Sequence, residues 1–343
     1  MLSHARTPGP EAQEHPTERL LEVDDLHVEF RTDYGVVQAV NGISYTLDAG
    51  QTLAILGESG SGKTVSAQAV MGILDSPPGF VTRGTVRYKG VDLLGMRESE
   101  RREVRGQEIA MIFQDALSAL NPVLSVGYQI EEMFRVHRDM SRAEGRKRAI
   151  ELVDRVRIPL AKERVNDYPH QFSGGMRQRV MIAIAISLDP DILIADEPTT
   201  ALDVTVQAQI MELLAELQRD TKMGLILITH DLGVVADVSD DICVMYAGKI
   251  VEKGRVFDVY ERPSHPYTEG LMKSIPRLDQ QGKRLDPIRG APPSLVHIPS
   301  GCSFHPRCPR ARDVCSREEP LLRAVKADRR SACHFAEEVL GEE

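Results

Sequence analysis

Apolar and polar residues alternate through 20–30 and, in part, through 46–56. A period of two lays one set of side chains on a buried face, so both stretches read as strands, with the turn-forming run Thr32-Asp33-Tyr34-Gly35 between them. After Gly62 the pattern lengthens to a helical period through about residue 71, and Pro77-Pro78-Gly79 should stop it. Residues from 116 to about 165 are mostly helix-compatible, most clearly over 131–137 and 142–156, which predicts a helical insert. The later half runs helix 174–188, strand 192–195, helix 204–219 and strand 225–229, the alternation of a parallel sheet. The expected fold class is therefore α/β, with a β-rich start, a helical subdomain over about 115–175, and a boundary after Met272 where periodicity fades. No internal repeat is visible.

Composition adds to this picture. A length of 343 residues suggests two domains rather than one. No apolar run approaches the roughly 20 residues that a spanning helix needs, so the chain is not expected to cross a membrane itself. Residues 1–18 are polar, without a secretory apolar stretch, and read as a disordered leader. A net charge of −9 argues against broad binding to a phosphate backbone, so no nucleic-acid partner is expected. The basic runs around Arg101 and Arg146 read as solvated helix faces.

Three segments carry chemistry. Gly57-Glu58-Ser59-Gly60-Ser61-Gly62-Lys63-Thr64 fits G-x-x-x-x-G-K-[ST], preceded by an apolar strand and followed by a helix. Glycines allow backbone N–H groups to turn inward around phosphate oxygens, and the helix N-terminus adds a favourable dipole. Lys63 should reach the β- and γ-phosphates of ATP, and Thr64 should place a hydroxyl on Mg²⁺. The run from Ile192 to Glu197 is an apolar strand ending in two carboxylates with different expected tasks: Asp196 holds Mg²⁺, and Glu197 polarises the attacking water as general base.

The third segment, Gln171-Phe172-Ser173-Gly174-Gly175-Met176-Arg177-Gln178-Arg179, resembles the signature motif of the ABC ATPases, although Phe172 and Met176 depart from its common Leu and Gln. On that resemblance, which spans roughly 19–272, the fold is a P-loop NTPase of the ABC ATPase type. It further implies that Gln114 is the Q-loop glutamine and a third Mg²⁺ contact, Ala201-Leu202-Asp203 the D-loop, His230 the switch histidine and Tyr34 an aromatic that stacks on adenine. The implied assembly is a head-to-tail dimer in which Ser173, Gly174 and Gly175 of one subunit face the ATP held by the P-loop of the other. The second ATPase would be a related chain or a second copy.

The run Phe113-Gln114-Asp115-Ala116-Leu117-Ser118-Ala119-Leu120-Asn121-Pro122 is similar to that of oligopeptide and dipeptide importer subunits, a subfamily shared with nickel importers. So are His265-Pro266-Tyr267-Thr268 and the tail segments at Gly290-Ala291-Pro292-Pro293 and from Gly301 to Pro309. The resemblance implies an ATPase at the cytoplasmic face of the membrane, coupled to two transmembrane permease subunits and, through them, to an extracytoplasmic peptide-binding protein. A non-transport ABC protein acting on nucleic acid or the ribosome is the alternative. It is opposed by the single P-loop and by the lack of a heptad coiled coil between residues 64 and 173.

Four cysteines crowd the extension at 273–343: Cys302, Cys308, Cys315 and Cys333, with five, six and seventeen residues between neighbours. Structural zinc sites favour close Cys pairs, whereas a 4Fe–4S cluster accepts irregular spacing, so a cluster is the favoured expectation, with zinc or unligated thiols as alternatives. The extension, short of periodic apolar sequence, is expected to depend on that ligation for its order. The fifth, Cys243, lies in an apolar run and reads as a buried structural thiol.

Overall fold

The computed structural model of the chain describes residues 18–200, 202–274 and 288–341. The expected leader, apart from Glu18, lies outside the described residues, as does Ala201 of the expected D-loop.

The first strands, β1 (Arg19–Thr32) and β2 (Gly35–Asp48), pair antiparallel across the turn at Asp33 and Tyr34. Sequence alternation reveals β1 but only the end of β2, because Asn41-Gly42 reads as a turn. The pair instead sits at a register shift, where Gly42 takes φ +80° and the strand continues through a bulge. Next come β3 (Thr52–Leu56), the glycine-rich loop and α1 (Lys63–Met71). Helix α1 ends well before the prolines expected to stop it: Gly72, at φ +63°, supplies the left-handed cap. After β4 (Gly79–Tyr88), β5 (Val91–Asp92), α2 (Glu98–Val104) and β6 (Ile109–Ile112), the helical insert holds α3 (Ala116–Ala119), α4 (Val126–His137), α5 (Arg142–Arg155) and α6 (Ala161–Arg164). Its two longer helices begin at serine caps, Ser125 and Ser141, whose hydroxyls accept N–H groups of the first turn.

The later half follows the predicted order through α7 (Gly174–Ala185), β7 (Ile192–Asp196), α8 (Val204–Thr221) and β8 (Gly224–Thr229), and continues beyond it with α9 (Leu232–Val238), the hairpin β9 (Asp241–Tyr246) and β10 (Lys249–Arg255), α10 (Val256–Glu261) and α11 (Pro266–Lys273). The extension adds α12 (Asp313–Arg317), β11 (Arg323–Lys326), β12 (Arg329–Ser331) and α13 (Ala336–Val339).

Two sheets result. One is antiparallel, in the order β2-β1-β4-β5; the other runs β11-β12-β10-β9-β3-β8-β7-β6, and its stretch from β9 to β6 is parallel. The parallel strands are apolar on both faces because both faces are covered. Leu53, Ile55, Ile192, Ile194, Ile226 and Ile228 pack with α1 and the antiparallel sheet. Ala54, Leu56, Leu193, Ala195, Leu225 and Leu227 pack on the other side with α7, α8 and the helical insert.

The extension is part of this sheet. Strand β12 pairs with β10 through Glu252↔Ser331 and Lys253↔Arg330. Beside that pairing the fully buried Glu252 carboxylate accepts from Arg329 (2.7 Å), from the Ser264 N–H (2.8 Å) and hydroxyl (2.7 Å), and from the His265 N–H (3.0 Å). A buried carboxylate supplied with this many donors is held firmly, and losing its cation strands a charge. The extension therefore has anchors that involve no thiol, beside the metal ligation on which its order is expected to depend. Arg329→Ala should destabilise the chain by about 3–5 kcal/mol in denaturant unfolding. A loss below ~1 kcal/mol would show that the pair is not the anchor.

Candidate functional site

Parallel pairing brings the ends of β3, β6, β7 and β8 to one edge of the sheet, where loops carry the polar residues. The loop after β3 is shaped by two glycines that no other residue can replace without collision. A Cβ on Gly57 (φ +158°) would lie 2.3 Å from the Met245 carbonyl oxygen, and one on Gly62 (φ +101°) 2.2 Å from that of Ala39. Gly60 (φ +76°) has nothing within 4 Å of its Cβ direction and faces open space. Ser61 Oγ is buried without a hydrogen-bond partner. Lys63 is buried, and its ammonium donates to the carbonyl oxygens of Gly57 (2.9 Å) and Glu58 (3.1 Å) within the loop. An orphaned hydroxyl, an open glycine and a lysine turned onto its own loop all fit a triphosphate, whose oxygens would take up these donors. Burial pushes the Lys63 pKa down, while the charges of Glu197, Asp196 and Glu58 hold it up.

The Thr64 hydroxyl donates to Asp196 Oδ1 at 3.2 Å, joining the two expected Mg²⁺ contacts. Asp196 is 1% exposed, and burial raises its pKa, with Glu197 adding to the rise and the Thr64 bond and Lys63 opposing it. Glu197 stands at φ +45°, unusual for a non-glycine residue, and is held there by its N–H bond to the Ile228 carbonyl (2.8 Å). Its carboxylate is the meeting point of the site: Gln114 Nε2 donates at 3.0 Å, the Thr200 hydroxyl donates at 2.9 Å, and His230 Nδ1 lies 3.4 Å away. Lys63, Thr64, Gln114, Asp196, Glu197 and His230 are thus gathered in one constellation. Such a group can hold a phosphate, a divalent cation and a water whose proton a carboxylate accepts.

Other expected residues stand apart. Ser173 caps α7, its hydroxyl accepting the Met176 N–H at 3.3 Å, and Phe172 is buried, so an apolar residue is what that position requires. Gly174 and Gly175 abut Leu202 and Val206, where a Cβ on Gly175 would lie 2.5 Å from Val206 Cγ1. Asp203 caps α8 by accepting the Val206 N–H at 3.0 Å. Among the described residues no hydrogen bond joins the Ser173–Gly175 turn to Lys63, Thr64, Asp196 or Glu197. Tyr34 is 92% exposed at the tip of its turn, a free aromatic face.

Cys302, Cys308, Cys315 and Cys333 line one small cavity of about 20 Å³ with His265 and Phe304. Among the described residues no group of three or more His, Cys, Asp or Glu side chains is arranged to hold a metal ion. Burial pushes the Cys302 and Cys333 thiols up to about 11. The neighbouring histidines are also engaged elsewhere, His305 with the Cys302 carbonyl and His334 with the Glu318 carbonyl, each at 2.9 Å. Cys243 is fully buried, as expected of a structural thiol.

The family profile described as ABC transporter matches residues 40–200, and that described as oligopeptide/dipeptide transporter, C-terminal region, matches 251–315. The dipeptide transport ATP-binding protein DppD of Bacillus subtilis is 53% identical over 303 residues, covering 88% of this chain and 90% of its own. The chain belongs to the ABC transporter family. Another relative in that family, the oligopeptide transport ATP-binding protein OppD of Salmonella typhimurium, is 48% identical over 97% of this chain and 97% of its own. Among solved structures of ABC transporter components, the dimeric ATP-binding cassette MJ0796 bound to ADP and Pi superposes with a TM-score of 0.62 at 26% identity, over 69% of this chain and 99% of its own. The cbiO1 protein of Clostridium perfringens gives 0.60 at 29% identity, over 71% of this chain and 91% of its own.

Sequence reasoning missed two kinds of contact in this ABC transporter site. Thr200 lies three residues beyond Glu197, close enough that a polar residue there signals a local bond. By contrast, the contacts made to Glu58 by Tyr267, whose hydroxyl accepts the Glu58 N–H at 2.9 Å, and by Arg307 span more than 200 positions, and no spacing announces them. Lys63→Ala removes the buried cation of the glycine-rich loop and should weaken ATP binding by about tenfold or more. Titration with a fluorescent ATP analogue checks this, and an unchanged Kd would show that the ammonium stays on its own loop.

Proposed function

We propose that this chain is the ATP-hydrolysing subunit that powers peptide import through a membrane permease. One observation carries the chemistry: Lys63, Thr64, Gln114, Asp196, Glu197 and His230 meet at one sheet edge around an orphaned hydroxyl and an open glycine. The cargo follows from the relatives, which are dipeptide and oligopeptide transport proteins matched over nearly their whole length. No helix among the described residues is long and apolar enough to cross a membrane, which fits a subunit that works on permease partners. The helices between the P-loop and Ser173 reach no more than 14 residues, far short of the coiled coil that a chromosome-type ABC protein needs. Copurification with permease subunits and ATP-dependent uptake of a labelled peptide test the assignment; recovery of ribosomes or DNA instead would overturn it.

In this reading residues 19–272 form the ATPase unit and 273–343 the extension. Gly57, Ser59, Gly60, Ser61, Gly62 and Lys63 hold the phosphates, and Tyr34 offers its ring to the adenine. Thr64, Asp196 and Gln114 would hold Mg²⁺, which neutralises phosphate charge when bound. Glu197 takes the proton of the attacking water, held by Gln114 and Thr200, while His230 beside it contacts the γ-phosphate. Ser173, Gly174, Gly175 and Asp203 serve the opposite subunit of a head-to-tail dimer, supported by their separation from the chain's own Lys63 and by the dimeric state of MJ0796.

For Cys302, Cys308, Cys315 and Cys333, a 4Fe–4S cluster with a structural role is the reading proposed. Their convergence on one cavity supports it. Anaerobically purified protein should be brown, with iron and sulfide in equal amounts, whereas metal-free protein with a folded extension would overturn ligation.

Glu197→Gln should keep ATP binding while steady-state hydrolysis falls by about a hundredfold or more. The bound, unhydrolysed ATP should then hold the dimer together in size-exclusion chromatography. Near-normal turnover would remove Glu197 from the role.

A further inference from the structure

The phosphate loop is gripped from outside the ATPase unit. Glu58, the first variable position of that loop, is engaged at all three of its polar groups. Its N–H donates to the Tyr267 hydroxyl (2.9 Å), and its carbonyl accepts from Lys63 (3.1 Å) and from the Ser61 N–H (3.2 Å). Its carboxylate receives a two-pronged bond from Arg307, Nη1 to Oε2 at 2.6 Å and Nη2 to Oε1 at 3.0 Å. Arg307 is only 6% exposed, and its position is set by three further contacts: Nε to the Arg289 carbonyl (3.1 Å), Nη1 to the Tyr246 hydroxyl (3.4 Å), and its guanidinium over the Tyr246 ring (5.8 Å). It belongs to the extension, in the short turn between Cys302 and Cys308. Phe304 in the same turn packs against Tyr246 (5.2 Å between centroids) and Tyr267 (5.4 Å), so one aromatic cluster carries both grips on Glu58.

An acidic side chain in a phosphate-binding loop poses an electrostatic problem. ATP brings up to four negative charges to the loop, and an unpaired carboxylate on it repels them. Glu58 is near enough to the buried Lys63 ammonium to act on it. A planar guanidinium that satisfies both carboxylate oxygens cancels the charge and fixes the side chain, which a lysine's single point charge does less well.

We propose that Arg307 is a positioning residue for nucleotide: by neutralising and fixing Glu58 it keeps the phosphate loop receptive to ATP, so that docking of the extension is linked to ATP affinity. The inference rests on the ATPase reading above and adds a control point to it. The extension thereby does more than extend the sheet, because its seating reports directly on the loop that binds substrate. Linkage makes the effect reciprocal, so bound ATP strengthens the seating of the extension.

The test is a cycle of full-length variants, read as ATP Kd and as KM and kcat for hydrolysis. Arg307→Gln should raise the Kd and KM for ATP by about tenfold with kcat much less affected. Arg307→Lys, which keeps the charge without the fork, should be intermediate. In a Glu58→Gln background the same Arg307→Gln change should alter KM by less than about twofold, because the carboxylate that it neutralises is gone. A purely structural Arg307 predicts a lower melting temperature with unchanged KM, and that result would overturn the proposal. An Arg307→Gln effect of equal size with and without the Glu58 carboxylate would overturn it as well. Should Arg307→Gln fail to fold, Arg307→Lys in the two backgrounds supplies the same comparison. Wild-type protein that binds no ATP would sink the ATPase reading together with this inference, whereas wild-type binding with flat KM across the cycle sinks only the inference.

Discussion

Parallel register governs the rest of the molecule. When β3 pairs with β8 and β9, β8 with β7 and β7 with β6 in one direction, the chain leaves every strand at the same edge. Lys63 and Thr64 follow Leu56, Gln114 follows Ile112, Asp196 closes β7 with Glu197 beyond it, and His230 follows Thr229. Residues separated by up to 167 positions therefore converge without any direct interaction to draw them together. Register in such a sheet is pinned by burial on both faces, since a slip of one residue would exchange the side chains that face the antiparallel sheet with those that face the helices. The apolar strands thus determine the geometry of the polar site.

The site that this edge creates is electrostatically expensive to assemble. An ammonium at Lys63 and a carboxylate at Asp196 are both withdrawn from water, and each is partly compensated by the other, while the nearby Glu197 charge favours the ammonium and opposes the second carboxylate. Lys63 meets that cost by bonding loop carbonyls, but Ser61 Oγ is left with no partner. An unsatisfied buried hydroxyl and a carboxylate-bearing residue at positive φ are tolerated where a ligand repays them, and Ser61 and Glu197 stand together at this edge.

How much of this was legible in the sequence depends on the range of the interaction. The phosphate loop, the strand before it and the helix after it are written in consecutive residues, and their structure follows the motif. The alternating strands and helices of the later half were legible for the same reason, with boundaries displaced by only a few residues. Strand β2 was hidden because Asn41-Gly42 has the composition of a hairpin turn, whereas the partner strand forces it into a bulge. The end of α1 near residue 71 was legible, but its cause was not: Gly72, not the proline pair, breaks the helix. The extension was least legible. Its strands are three and four residues long, too short for a period to emerge, and they exist because β10 offers an edge to pair with.

The His265-Pro266-Tyr267 run, visible in sequence only as a subfamily mark, acquires a physical meaning from these long-range contacts. His265 is fully buried and held neutral, its pKa pushed down to about 3 by burial, so it can accept the Tyr267 N–H through Nδ1 (3.1 Å) and cap α11. Pro266 occupies the first helical position, where no N–H is needed. Tyr267 then reaches back to the phosphate loop. On one side the His265 N–H is bound to Glu252, the carboxylate that also holds Arg329 of the extension; on the other, the Tyr267 hydroxyl is bound to Glu58, the residue that also holds Arg307. Three consecutive residues therefore sit between two ion pairs, each joining the extension to the ATPase unit. A disturbance of the extension has a short path to the phosphate loop, through groups that are buried up to the partly exposed Glu58 carboxylate.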